Sequence, residues 1–345
     1  MNPKELDMNH MKIGVVGAGS WGTALANLLA VKGYRIDWWV FEQDLTRKLV
    51  ETRENEFFLP GIPLSENLNP TNHLEAAVAG KDLVLVVVPS HVMRTVTGRM
   101  GPHIGDDTIL VSASKGIENE TQLTMSGVIN ESLGGISDTR FAVLSGPSFA
   151  REVAMGLPTA VTAASREPKI AQVVQHVFAT PVFRVYTNVD VIGVELGGSV
   201  KNVIAIAAGM IDGLKLGLNT RAALITRGMT EMRRLGLAMG AQPRTFTGLA
   251  GFGDLVLTCT GDVSRNHTVG KKIGQGMKLK QVLADMRMVA EGVKTARSLY
   301  NLSRRLDVEM PIAHAIYYIL HEDLDPKDAV HQLMTRDLKN ELDDE

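Results

Sequence analysis

The chain has one cysteine, Cys259, in 345 residues. A single thiol can form no intramolecular disulfide and no cysteine cluster for zinc, a pattern that fits a reducing compartment. Charge of one sign is missing as well: 36 Lys and Arg stand against 38 Asp and Glu, for a net charge of −2. That balance leaves no whole-chain basic footprint for nucleic acid. The longest apolar runs, residues 83–88 and 203–211, fall well short of the roughly 18 residues of a membrane span. The first ten residues carry no apolar signal core. None of the nine histidines has a partner at metal-ligand spacing, and no H-E-x-x-H, G-x-S-x-G or P-loop pattern occurs. The expectation is a soluble cytoplasmic protein that neither inserts in a membrane nor binds nucleic acid, and needs no metal. Hydrophobic residues at 45% and charged ones at 21% exclude disorder for the bulk of the chain. The length suggests about two domains at roughly 150 residues each.

Glycine is in excess: 33 residues, about 10% against an average of about 7%. The glycines punctuate an ordered pattern. After a loose leader over residues 1–10, a short β-rich run at 12–16 meets Gly17-Ala-Gly-Ser-Trp-Gly22. A helical stretch over 23–32 follows and ends at Gly33. Further strands are predicted at 35–41, 82–88, 108–112, 141–144, 159–164 and 183–186. Continuous apolar strands separated by helical patterns predict a largely parallel sheet covered on both faces. Past residue 189 the strands stop. Helices are predicted over 191–213, 220–240, 280–284, 295–305, 311–321 and 328–334, and the acidic end, 337–345, reads as a frayed terminus. The fold class is an α/β Rossmann-type dinucleotide-binding domain, residues 11–190, followed by an all-α domain, residues 191–345.

Gly17-x-Gly19-x-x-Gly22 follows a predicted strand and opens a predicted helix, the context that gives this pattern its meaning. Gly17 allows the tight turn, Gly19 lets backbone approach a pyrophosphate, and Gly22 lets helix pack on strand. The helix N-terminus offers free N–H groups to the anion. Glu42, 20 residues past Gly22, stands where an acid accepts the ribose hydroxyls of NAD. The alternative is a glycine-rich turn with no ligand. Three more segments end strands on the same rim: Val88-Pro-Ser-His91, Ser112-Ala-Ser-Lys-Gly116 and Leu144-Ser-Gly-Pro-Ser-Phe149. Each alone is ordinary turn chemistry; three on one rim point to a ligand.

In the helical half, Lys201, Ala205, Ala208 and Asp212 share one face of a nearly apolar helix. That face is either a solvent face with a snorkelling lysine or a cleft face with a reactive one. A glycine-rich approach leads to the lone carboxylate of Asp254. Ser264-Arg265-Asn266 precedes another helix, with Ser264 as N-cap, and makes a phosphate site by free N–H groups and a cation or else an ordinary cap. His91 and His267 lie near these sites and read as structural.

The motifs together resemble the bacterial type of NAD(P)-dependent glycerol-3-phosphate dehydrogenase, from residue 12 to residue 334. The likeness is carried by GAGSWGTALA, VVVPSH, SKGIE, SGPSFA, ELGGSVKNVIAIAAGMIDG, TRGMTEM, GDLVLTCT and SRN. It implies that Lys201 is the proton acceptor when glycerol 3-phosphate is oxidised and the donor when dihydroxyacetone phosphate is reduced. It implies substrate contacts at Lys115, Gly146, Ser148, Lys201, Asp254, Ser264, Arg265 and Asn266, and cofactor contacts at Ser20, Trp21, Lys115, Ala150, Arg265 and Glu291. It implies NAD or NADP as cofactor, a phosphorylated triose as substrate, a cytoplasmic homodimer, and a role in supplying phospholipid synthesis. NADP-using relatives often carry a basic residue where this chain has Phe41. Phe41-Glu42 offers no such cation and Glu42 would repel a 2′-phosphate, while Arg47 from the following helix could compensate. The runner-up is a β-hydroxyacid or ketopantoate-type dehydrogenase, from which the phosphate-type helix start separates this chain; a non-catalytic dinucleotide sensor would not need Lys201.

Overall fold

A computed structural model of the chain describes residues 8, 10–136, 138–284, 286 and 290–341. Most of the expected leader and the last four residues of the acidic tail lie outside the described residues. The chain forms two compact units. The first holds the chain up to Lys115 and Leu123–Val194; the second holds Gly116–Gln122 and the chain from Glu195 onward. The short excursion follows from its bonds. Gly116 N–H donates to Ser199 Oγ at 2.9 Å, and Ser298 Oγ donates to the Ile117 carbonyl at 2.9 Å. A linear reading with one boundary at residue 190 had no way to show this.

In the first unit, eight strands form one sheet among the described residues: β1 (Ile13–Val16), β2 (Ile36–Trp39), β3 (Leu68–Thr71), β4 (Leu83–Val86), β5 (Ile109–Ser112), β6 (Phe141–Ser145), β7 (Thr159–Ala164) and β8 (Phe183–Asn188). Their order is 3-2-1-4-5-6-7-8. Every pair is parallel except β6 with β7. The largely parallel sheet of the sequence reading is present, with one antiparallel pair added. β1, β4 and β5 are buried at every position, as runs covered on both faces must be. β3 was not foreseen. Its Pro70 argues against a central strand and is tolerated here because β3 pairs on one side only. Strand order reverses between β1 and β4, which places the crevice for a ligand at the carboxyl ends of those strands.

The second unit is helical. Its long helix, Val191–Gly213, is apolar enough by length and composition to cross a membrane, but 94% of its most apolar stretch is buried within the protein. It is a core helix. Its small residues have a packing cause: a Cβ on Gly209 would lie 2.0 Å from the His267 carbonyl oxygen, and one on Gly270 would lie 1.9 Å from that of Ile206. Helices Val191–Gly213 and Arg265–Gly274 therefore meet backbone to backbone. Helices Gly217–Ala238, Glu291–Arg305, Pro311–His321 and Pro326–Met334 follow the long helix in the chain, each within a few residues of its predicted span.

Candidate active site

The turn after β1 is built by close contacts. Gly17 has φ +115°, and a Cβ there would lie 2.3 Å from the Val87 carbonyl oxygen; one on Gly22 would lie 2.3 Å from the Gly17 carbonyl oxygen. Both are therefore demanded by the fold. Gly19 is different: a Cβ there meets nothing within 4 Å, and its φ of −66° is open to any residue. Nothing in the protein requires glycine at that position. A ligand backed closely against the chain would require it, which is the part the sequence reading assigns to Gly19. Gly19 is the N-cap of helix Ser20–Val31 and contributes no side-chain cap, so the first-turn N–H groups depend on other partners. Ser20 Oγ donates to the Phe58 carbonyl at 2.7 Å. Trp21 packs on the core, its Nε1 buried with no hydrogen-bond partner. These features fit a dinucleotide.

Phe41 is 69% exposed just beyond β2. Glu42 is exposed and N-caps helix Gln43–Thr52. Arg47, the possible compensating cation, is held by Asp44 at 2.5 Å. Further along the same rim, Ser114 Oγ donates to the Val88 carbonyl at 2.7 Å and accepts from the Val88 N–H at 3.0 Å, tying the turns after β4 and β5 together. Lys115 Nζ and Ser148 Oγ both donate to the Gly146 carbonyl, at 3.3 and 2.9 Å. Gly146 sits at φ +150° with its Cβ position 2.9 Å from Val161 Cα, so no other residue would hold that carbonyl there. Three expected substrate contacts are thus gathered on one carbonyl. Ala150 opens helix Ala150–Ala154 and packs against the core of the sheet unit.

In the helical unit, Lys201 is buried, and its Nζ donates to Asp254 Oδ1 at 2.5 Å and to Thr258 Oγ1 at 2.8 Å. Asp254 is 1% exposed. The snorkelling alternative is thereby excluded. On the same face, Ala205 and Ala208 are fully buried, and Asp212 pairs with His267 Nε2 at 2.8 Å and Arg221 at 2.9 Å. His267 is structural, as read. Ser264 is the N-cap of helix Arg265–Gly274 and accepts from the His267 N–H. Arg265 is exposed at its surface, yet desolvation where its guanidinium lies against the protein lowers its proton affinity, and the Glu291 carboxylate opposes that shift. Asn266 Nδ2 donates to Asn202 Oδ1 at 2.9 Å, and Asn266 Oδ1 accepts from the Gly292 N–H at 3.0 Å. Cys259 is fully buried, and that burial pushes its thiol up to about 12, so it takes no part as a thiolate. The sequence reading missed Thr258 and Asn202. Thr258 had a signal, since it lies four residues after Asp254 on the same helical face.

Against proteins of known family, residues 12–171 match the model for the N-terminal part of NAD-dependent glycerol-3-phosphate dehydrogenase, and residues 190–331 match that for its C-terminal part. A glycerol-3-phosphate dehydrogenase [NAD(P)+] of Geobacter sulfurreducens is 61% identical over 96% of this chain and 98% of its own length. The chain belongs to the NAD-dependent glycerol-3-phosphate dehydrogenase family. A crystal structure of glycerol-3-phosphate dehydrogenase from Coxiella burnetii, 43% identical, superposes with a TM-score of 0.91 over 95% of this chain and 99% of that one. A ketopantoate reductase from Ralstonia eutropha is also alike, at 15% identity and a TM-score of 0.58. That likeness extends to the fold alone, and the ketopantoate-type alternative is not supported. Residues 17–22 fall within the first matched part and the buried Lys201 within the second.

Proposed function

We propose that this dehydrogenase interconverts dihydroxyacetone phosphate and sn-glycerol 3-phosphate with NADH or NADPH, supplying glycerol phosphate for phospholipid synthesis in the cytoplasm. The sheet unit is the dinucleotide-binding domain and the helical unit the substrate and catalytic domain. The observation that carries the reading is Lys201, a buried ammonium held by Asp254 and Thr258.

The dinucleotide rests on the turn Gly17, Gly19, Ser20, Trp21 and Gly22, with Phe41 and Glu42 at its ribose end and Lys115, Ala150, Arg265 and Glu291 as further contacts. When bound, the nicotinamide supplies the hydride. Reduction of the ketone places negative charge on its oxygen, and Lys201 stabilises that charge and gives it a proton; in the oxidative direction the neutral amine takes the proton back. Asp254 and Thr258 fix the Nζ position. Ser264, Arg265 and Asn266 take the phosphate at the start of a ten-residue helix, by N–H groups and a charge-assisted pair. Lys115, Gly146 and Ser148 complete the substrate contacts. Phosphate binding lies away from the reacting carbon, so its binding energy is available for orientation.

The chain acts as a homodimer in this reading. The start of helix Gly217–Ala238 supports that, since Leu218 is 71% exposed and Leu216 40%. The deciding experiment measures NADH oxidation by the purified protein with dihydroxyacetone phosphate against unphosphorylated dihydroxyacetone. Turnover far faster with the phosphorylated ketone than with the unphosphorylated one is expected. NADH binding without turnover would instead mark a sensor.

A further inference from the structure

Asn55 lies outside every strand and helix, in the loop after helix Gln43–Thr52, yet its side chain is fully buried. A buried amide must find partners or cost stability, and Asn55 finds them on the dinucleotide turn. Its Nδ2 donates to the Ala18 carbonyl at 3.0 Å and to Thr23 Oγ1 at 2.8 Å. Its Oδ1 accepts from the Phe58 N–H at 3.0 Å. Thr23 Oγ1 in turn donates to the same Ala18 carbonyl at 3.2 Å. The preceding carbonyl, that of Gly17, accepts from Trp38 Nε1 at 3.0 Å.

Two successive carbonyls of the turn are therefore tied back into the protein. In a trans peptide the C=O and the following N–H point in opposite directions, and the chain has no cis bond among the described residues. Anchoring the Ala18 carbonyl therefore turns the Gly19 N–H the other way, and anchoring that of Gly17 does the same for the Ala18 N–H. N–H groups held facing away from those anchors are available to bind an anion. A free peptide here could rotate and set a carbonyl dipole against the same anion.

We propose that Asn55 is a positioning residue for the dinucleotide pyrophosphate, acting by fixing the orientation of the Ala18–Gly19 peptide and, through Phe58, the loop that receives the Ser20 hydroxyl. The inference rests on the dinucleotide reading of the Gly17–Gly22 turn. Trp38 supports the Gly17 carbonyl from the neighbouring strand; Asn55 supports the Ala18 carbonyl from a loop that the glycine fingerprint does not include.

The test uses the full chain and measures affinity for NADH and for ADP-ribose by fluorescence and calorimetric titration, with KM for dihydroxyacetone phosphate and a melting curve beside them. Asn55→Asp keeps the shape, removes the donor to the Ala18 carbonyl and sets a carboxylate oxygen against it; Asn55→Ala removes the group. Thr23→Val leaves Asn55 in place and takes away the shared hydroxyl, while Thr23→Ser restores it. Both Asn55 variants are expected to weaken NADH and ADP-ribose about ten- to a hundred-fold, the value of one hydrogen bond to a charged group. KM for the ketone at saturating NADH should stay within about twofold. Thr23→Val should show a smaller loss of the same kind, and Thr23→Ser should bind like wild type. Wild-type affinity in whichever of Asn55→Ala and Thr23→Val is folded would overturn the proposal. Failure of the wild type itself to bind NADH would overturn the dinucleotide reading instead.

Discussion

Replacing Lys201 by Met tests two claims at once, because the lysine belongs to a buried pair. The substitution keeps the stem and removes the ammonium. Asp254, 1% exposed, would then hold a carboxylate with its 2.5 Å partner gone. Breaking a buried pair from one side costs about 3–5 kcal/mol. A domain of this size shifts by roughly 2–4 °C per kcal/mol, so the melting temperature of Lys201→Met should fall by about 6–20 °C. Adding Asp254→Asn removes that buried charge and should recover most of that loss. Turnover behaves differently. Loss of the proton donor should slow it by about 10²- to 10⁴-fold, and the double variant should be no faster. The assays are calorimetric melting, NADH titration and steady-state reduction of dihydroxyacetone phosphate. A Lys201→Met protein that melts like wild type would deny the buried pair. Recovery of turnover in the double variant would deny Lys201 its role as acid.

Arg265→Ala should weaken dihydroxyacetone phosphate by about ten- to a hundred-fold while changing the slow reaction of unphosphorylated dihydroxyacetone little; equal losses in kcat/KM would remove Arg265 from the phosphate. Because Glu42 stands beside Phe41 and Arg47 is held by Asp44, NADH should be at least competitive with NADPH, and Glu42→Ala should raise the relative kcat/KM for NADPH; a wild type that requires NADPH strictly would refute this. Glu231 is buried, accepts N–H bonds from Ile312 and Ala313 at 2.6 and 3.0 Å, and has its carboxyl raised to about 7, chiefly by burial, with Arg234 and Arg336 pulling the other way. The folded state thus holds this proton more tightly than the unfolded one. The stability it lends is full below the ordinary carboxylate range and is lost as pH rises through about 7, by up to about 3 kcal/mol. Glu231→Gln should flatten the fall in melting temperature between pH 5 and 8, and an unchanged slope would assign that fall to other groups.

The glycine-rich turn after β1 and the long helix were legible because each is local. Gly17, Gly19 and Gly22 announce a strand–turn–helix within six residues, and residues 191–213 run with no proline to stop them. β3 was hidden by Pro70, whose acceptability depends on an edge position that only the assembled sheet defines. The direction of β7 was invisible for a related reason: a β-rich run of six residues has the same composition pointing either way. Lys201 could be singled out as a lone cation, but its partners stand 53 and 57 residues away, and the sequence alone allowed a solvent face equally well. Asn55 gave no sign at all, since a polar residue in a loop reads as exposed until burial shows otherwise.

The glycine contacts between helices Val191–Gly213 and Arg265–Gly274 bear on how this protein can change over evolutionary time. Where side chains mesh, a substitution on one helix can be absorbed by a compensating one on the other. Where backbone meets backbone no such partner exists, because a methyl group on Gly209 or Gly270 collides with a carbonyl that cannot be shortened. Both helices carry proposed active-site residues, Lys201 on one and Arg265 on the other. Their spacing is therefore locked against gradual drift. New substrate preferences in this scaffold are expected to arise in the loops and helix starts around the site, and selection experiments that randomise Gly209 or Gly270 should return glycine almost exclusively.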